Sequence, residues 1–175
     1  MAARNIISFS LLIAAPLVVQ SCRQQTSVSE LPGEKPVIIT SKQNTFKTSA
    51  VLPGCYTYAV QRGDPQNGPS VTLSKLTTGC KVPWHTHSAN AQVLLISGTF
   101  QLEMKGHPIQ EMTPGSYAYV PANHQHQESC LDGCTYYVVR EGTADVHYVD
   151  QAGTEIAAEI ALAAVGERLA DTVPR

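Results

Sequence analysis

Two stretches of this chain decide its fold: Gly79-Cys-Lys-Val-Pro-Trp-His85-Thr-His87 and Gly115-Ser-Tyr-Ala-Tyr-Val-Pro121-Ala-Asn-His-Gln-His126. In the first stretch, His85 and His87 stand two residues apart. Because side chains repeat with a period of two along a β-strand, both imidazoles would project from the same face. A third imidazole from a second strand would complete a metal site, since neutral imidazole is the commonest side-chain metal ligand. The pattern predicts a site but not its reaction.

The surrounding sequence is typical of short β-strands separated by glycine and proline. β-Branched and aromatic residues are concentrated in segments that we predict to be strands; these include 37–40, 55–60, 70–76, 91–97, 99–105, 116–120, 135–140 and 144–149. A parallel sheet would require strands that alternate with helices, and this pattern is absent from the sequence. The strand pattern therefore favours a β-sandwich or barrel.

Only the C-terminal part of the chain has a helical pattern. Residues 154–170 are rich in good helix formers, and Thr154 is a candidate N-cap. Ile156, Ile160 and Leu162 fall near a spacing that gives one apolar stripe. We therefore predict a helix that docks on the barrel.

The first histidine stretch resembles the first motif of the cupin superfamily. That motif is a glycine, five residues and His-x-His, matched here by Gly79, His85 and His87, and it closes with a glycine, matched by Gly98.

The second stretch resembles the second cupin motif at Gly115, Pro121 and His126, with Asn123 in place of the usual glycine. The resemblance implies an all-β fold, the cupin double-stranded β-helix or jelly-roll barrel with a metal in its mouth, here followed by the C-terminal helix. We expect residues 37–150 to form the barrel and 151–175 the helix and tail.

By motif position, the resemblance implies that His85, His87 and His126 are metal ligands. The usual fourth cupin ligand is a glutamate after three or four intervening residues, where this chain has Ala91 and Gln92. We therefore predict a three-histidine site, with Gln92 as an outer or facultative ligand. The cofactor would be a divalent transition metal: Fe, Mn, Ni, Cu or Zn.

His124 shares the strand parity of His126, so it is a candidate catalytic acid or base inside the cavity. The alternative position for His124 is the solvated rim of the barrel.

The N-terminal residues have the pattern of an export signal. A positively charged start is followed by an apolar run, residues 6–19, that is too short for a membrane span. Val19-Gln-Ser-Cys22 resembles the lipobox of bacterial lipoproteins, which predicts a signal peptide over 1–21. Cys22 would carry the lipid, the only membrane attachment, and 22–36 would be a flexible tether. The protein would then be periplasmic or on the cell surface. The alternatives to a lipobox are an ordinary cleaved signal and an uncleaved apolar N-terminus.

Charge excludes one class of partner. The chain has 12 basic and 14 acidic residues, and loss of Arg4 with the signal would leave 11 basic residues. An acidic chain without a basic cluster is a poor candidate for binding nucleic acid. A small-molecule ligand and a homodimer both stay open.

The remaining cysteines are Cys55, Cys80, Cys130 and Cys134, and an exported protein can keep disulfides. Three pairings exist. Because Cys130-Leu-Asp-Gly-Cys134 brackets a turn, the simplest set joins Cys130 to Cys134 and Cys55 to Cys80. A zinc cluster and free buried thiols are the alternatives.

Three functions agree with these observations. The chain would be a metal-dependent enzyme such as an oxygenase or isomerase acting on a small organic substrate, a non-enzymatic cupin that binds or senses a ligand, or a structural lipoprotein.

Overall fold

The computed structural model describes residues 35–167. The chain divides into two compact units, Met1–Val37 and Ile38–Arg175. The described residues of the first unit, 35–37, contain no helix or strand. The predicted signal peptide, the lipobox with Cys22 and most of the tether lie outside the described residues. No helix within 35–167 is long and apolar enough to cross a membrane.

Among residues 38–167 of the second unit, most of the regular secondary structure is β-strand. A short 3₁₀ helix, Ser41–Gln43, comes before them. The ten strands are β1 (Tyr56–Gly63), β2 (Ser70–Leu76), β3 (Lys81–Thr86), β4 (Ala91–Ser97), β5 (Phe100–Met104), β6 (Gln110–Met112), β7 (Tyr117–Val120), β8 (His126–Cys130), β9 (Cys134–Arg140) and β10 (His147–Tyr148). One helix, α1 (Ala158–Ala164), follows.

The strands form two five-stranded antiparallel sheets. One has the order β1-β2-β9-β4-β7 and the other β10-β3-β8-β5-β6. Side chains from both sheets meet in one core, where the rings of Phe100 and Tyr136 lie 4.9 Å apart. Two facing antiparallel sheets with nonconsecutive strand neighbours are a jelly roll, so the predicted all-β fold is confirmed.

Two details differ from the sequence prediction. Val37–Thr40 is not a strand. Its apolar side chains are not packed against the barrel, since Ile38 is 86% exposed. The helix begins at Ala158 rather than near Thr154, with Ala157 as its N-cap. This later start turns Ile160 towards solvent and buries Leu162.

Gly98, which closes the first motif, stands where two backbones approach closely. A Cβ at this position would lie 2.3 Å from the carbonyl oxygen of Gly133, and φ is +85°. Only glycine tolerates both the contact and the left-handed conformation. The turn into β5 therefore requires this residue.

Both predicted disulfides are present. Cys55 bonds to Cys80 and Cys130 to Cys134, which leaves no thiolate among these four cysteines for a zinc cluster. The first bridge ties the start of β1 to the loop before β3, and the second closes the turn between β8 and β9.

We expect the two bridges to stabilise the fold unequally. The loops they close differ in sequence separation, 25 residues against 4. Loop-closure entropy then predicts that removing Cys55–Cys80 costs about 3.5 kcal/mol and removing Cys130–Cys134 about 2 kcal/mol. Urea unfolding of the two paired Cys→Ala variants measures both losses. Equal losses, or a larger loss for Cys130–Cys134, would contradict this order.

Candidate metal centre

Strand pairing brings the three motif histidines together inside the barrel. β3 and β8 run antiparallel with His85 directly opposite His126. His87 follows the end of β3, and its ring centroid lies 4.8 Å from that of His85 and 5.2 Å from that of His126. All three residues are at most 4% exposed. Ligand atoms of all three lie within 4.8 Å of one another, close enough to share one metal ion.

Backbone carbonyls hold all three rings in the same tautomer. The Nδ1 of His85 lies 2.7 Å from the oxygen of Pro83, and that of His126 lies 2.9 Å from the oxygen of His124. The Nδ1 of His87 contacts the oxygen of Asp145. A carbonyl oxygen only accepts hydrogen bonds, so each Nδ1 carries the proton and each Nε2 keeps its lone pair.

Burial keeps the imidazoles neutral. Desolvation lowers the pKa of His126 to about 4. It also lowers the pKa values of His85 and His87 well below the usual range, helped by neighbouring positive charge. Three neutral imidazoles with directed lone pairs fit a divalent transition metal.

Asn123 links the second motif to the first. Its backbone N–H donates to the oxygen of His87 at 2.7 Å. Its φ is +60°, the left-handed conformation. Asparagine tolerates this region better than most residues, which explains why it can replace the usual glycine.

The structure places Gln92 away from this centre. Ala91, Val93 and Leu95 are the buried face of β4, so Gln92 points to the other side of the sheet. It does not line the cavity around the histidines, whereas the methyl group of Ala91 does. The position of Gln92 therefore does not support its predicted role as a ligand.

His124 does not reach the cavity either. His124 precedes β8, which begins at His126. The alternation of side chains along a strand therefore does not place His124 on the same face as His126. Its ring lies 6.1 Å from that of His107, and its side chain does not line the cavity. What His124 supplies to the centre is its carbonyl oxygen, which holds His126.

Several polar residues of the cavity were missed in the sequence analysis, among them Glu128, Tyr136 and Arg140. Strand parity could have identified these residues from the sequence. Glu128 is two residues after His126 on β8, and Tyr136 and Arg140 share the inward parity of β9. Tyr136 donates to the Glu128 carboxylate at 3.3 Å. Burial raises the pKa of Glu128 to about 7, although the charge of Arg140 opposes the shift.

Comparison with known proteins assigns the family. A model of the ChrR Cupin-like domain matches residues 34–144, well over half of the chain. The chain belongs to the ChrR cupin-like family. No curated protein matches this cupin in sequence.

Solved structures with the same fold are distant in sequence. An RmlC-like cupin from Ralstonia eutropha is 20% identical, with a TM-score of 0.54 over 69% of this chain and 76% of that one. Another from Shewanella frigidimarina is 14% identical, with a TM-score of 0.54 over 63% and 95%. The polyketide cyclase RemF from Streptomyces resistomycificus is 15% identical, with a TM-score of 0.54 over 64% and 82%. This cupin spans 53% of the length of a matched DMSP lyase chain. Such identities show the fold alone.

We expect Glu128 to destabilise the metal-free protein at high pH. The unfolded glutamate takes up its proton near pH 4.5 and the native one near pH 7, so the native state binds more protons between these values. The free energy of unfolding therefore falls as the pH rises through this window. Glu128→Gln should raise that free energy at pH 8 by at most about 3 kcal/mol, and by less at pH 5. The partial exposure of Glu128 makes this an upper bound.

Urea unfolding at both pH values measures the effect. Glu111→Gln, which removes an exposed carboxylate from β6, is the control and should show no such dependence. A Glu128→Gln variant that is less stable than the wild type at pH 8 would show that the carboxylate is stabilised as an anion.

Proposed function

We propose that this protein is an exported cupin in which His85, His87 and His126 bind a divalent transition metal. One observation carries the proposal: three buried Nδ1–H groups are held by backbone carbonyls, which leaves three Nε2 lone pairs in one small space. The three residues are at most 4% exposed, so these lone pairs lie in the interior of the barrel. A bound metal would satisfy all three at once and supply Lewis-acid or redox chemistry.

Catalysis on a small organic substrate is the activity we propose for the metal-loaded protein. Three protein ligands leave coordination positions open, which a catalytic metal needs and a purely structural one does not. Glu128 and Tyr136 add a hydrogen-bonded pair to the same cavity, and the Glu128 carboxyl is the candidate general acid or base. The fold neighbour RemF shows that this scaffold can carry an enzyme.

A second candidate function is metal binding or sensing without catalysis. The cavity beside the histidines has a volume of about 30 Å³. That is enough for a metal ion with one or two waters but too small for an organic substrate. This alternative requires no opening of the cavity, whereas catalysis requires a substrate to approach from a neighbouring pocket.

Elemental analysis tests the metal site. We expect the full chain, purified without a polyhistidine tag, to hold about one equivalent of metal; two imidazoles make a poor site, so His85→Ala and His126→Ala should hold about a tenth or less. His107→Ala, which removes an exposed histidine, should keep the full amount. Metal retained in both triad variants would reject the site. Oxygen consumption, measured if iron or copper is found, separates an oxygenase from a binding protein.

We also propose that a lipid on Cys22 anchors the protein in a bacterial envelope. The support is the sequence Val19-Gln-Ser-Cys22 after a short apolar run. Cys22→Ser should move the protein from the membrane fraction to the soluble fraction, as measured by fractionation and immunoblotting. Ser29→Ala, a change in the predicted tether that keeps the lipobox and both disulfides, should leave the distribution unchanged. A Cys22→Ser protein that stays in the membrane fraction would exclude the lipid anchor.

A further inference from the structure

A half-buried arginine of the barrel has a buried hydrogen-bond donor that is unused. Arg140 is the last residue of β9, with the inward parity of Tyr136 and Val138. Its Nη1 is buried and has no hydrogen-bond partner. No salt bridge of Arg140 occurs within the described residues, 35–167. A buried guanidinium donor without an acceptor is costly, which suggests that a ligand completes it.

Neither neighbouring strand supplies an acceptor for Arg140. Ser70 of β2 and Ala91 of β4 lie directly opposite it in the sheet. The Ser70 hydroxyl is itself buried without a partner, and a methyl group cannot accept a hydrogen bond. Two unsatisfied polar atoms therefore belong to cross-strand neighbours at the same end of the barrel.

Arg140 connects the metal centre with a larger pocket. This outer pocket has a volume of about 300 Å³, within the range of small-molecule sites. Leu52, Tyr56 and Arg140 line both this pocket and the histidine cavity. One part of the remaining wall is apolar or aromatic and includes Leu52, Tyr58 and Val146. The other part is polar and includes Ser49, Gln66, Thr72 and Thr143.

The charge of the outer pocket selects the kind of ligand. Arg140 is the one charged residue among the described residues that line it. One guanidinium matches one negative charge, and its planar fork suits the two oxygens of a carboxylate. The apolar wall would contact the hydrocarbon part of such a molecule.

We propose that the outer pocket binds small organic carboxylates, with Arg140 pairing to the carboxylate beside the histidine centre. This inference names the class of substrate that would approach the metal. Its meaning for catalysis rests on the proposed function. Binding of the carboxylate itself requires only Arg140 and the pocket.

Calorimetric titration of the metal-free full chain tests the inference. The probes are acetate, butyrate and benzoate, each compared with its neutral amide. We expect at least one carboxylate to bind roughly 10- to 100-fold more tightly than its amide, the range of a charged hydrogen-bonded pair. Arg140→Gln should abolish this preference, and Arg140→Lys, which keeps the charge but not the fork, should keep part of it. Lys81→Gln removes an exposed cation from β3 and should change nothing.

The use of metal-free protein excludes coordination of the carboxylate by the metal as the cause of any preference. Circular dichroism of Arg140→Gln verifies the fold. No carboxylate preference in the wild type, or a preference that survives in Arg140→Gln, would overturn the inference. A wild-type protein that binds metal without any carboxylate preference refutes this inference alone. A wild-type protein that shows the preference but binds no metal refutes the metal function and supports the carboxylate site.

Discussion

Hydrogen bonds from three imidazole Nδ1–H groups to three backbone carbonyls are the constraint around which the interior is organised. The carbonyls belong to Pro83, Asp145 and His124, which lie far apart in sequence. Because backbone atoms are the acceptors, the ring orientations depend on the path of the chain more than on any neighbouring side chain. The turn at Asn123 and the pairing of β3 with β8 therefore become part of the metal centre. This is the arrangement by which proteins orient metal-binding histidines before the metal arrives.

The barrel also keeps polar groups that weaken the fold. Tyr136 and Glu128 form a hydrogen-bonded pair, the Tyr56 hydroxyl lies 2.7 Å from that of Ser74, and the Arg140 guanidinium has an unused donor. A core built for stability alone would contain apolar residues at such positions. Conflicts of this kind are typical of functional sites, where polar groups are retained for a ligand at the expense of stability. Two disulfides and the apolar layer around Phe100 offset the cost.

Much of this architecture could be predicted from residue patterns. The His85–His87 spacing, the glycines that end strands and the two cupin-like motifs together indicated the fold and three histidine ligands. The cysteine pairing followed from the local turn at Cys130–Cys134. Gln92 was misplaced because a motif alignment does not fix which face of β4 points inward; the buried Ala91 and Val93 on either side of it do. Of the two positions left open for His124, the cavity relied on strand parity, and this rule does not apply to a residue that precedes the strand.

The sequence by itself determined the all-β class, the three histidines that meet in the barrel and the cysteines available for pairing, because each depends on local spacing or residue chemistry. Only the tertiary structure decided which polar residues share the metal cavity. Glu128, Tyr136 and Arg140 lie on two strands of opposite sheets. Parity places each of them on an inward face, but only the packing of one sheet against the other brings them into one cavity. The unused donor of Arg140 could not be predicted from the sequence either. The lack of a hydrogen-bond partner can be recognised only when the positions of all neighbouring strands are known.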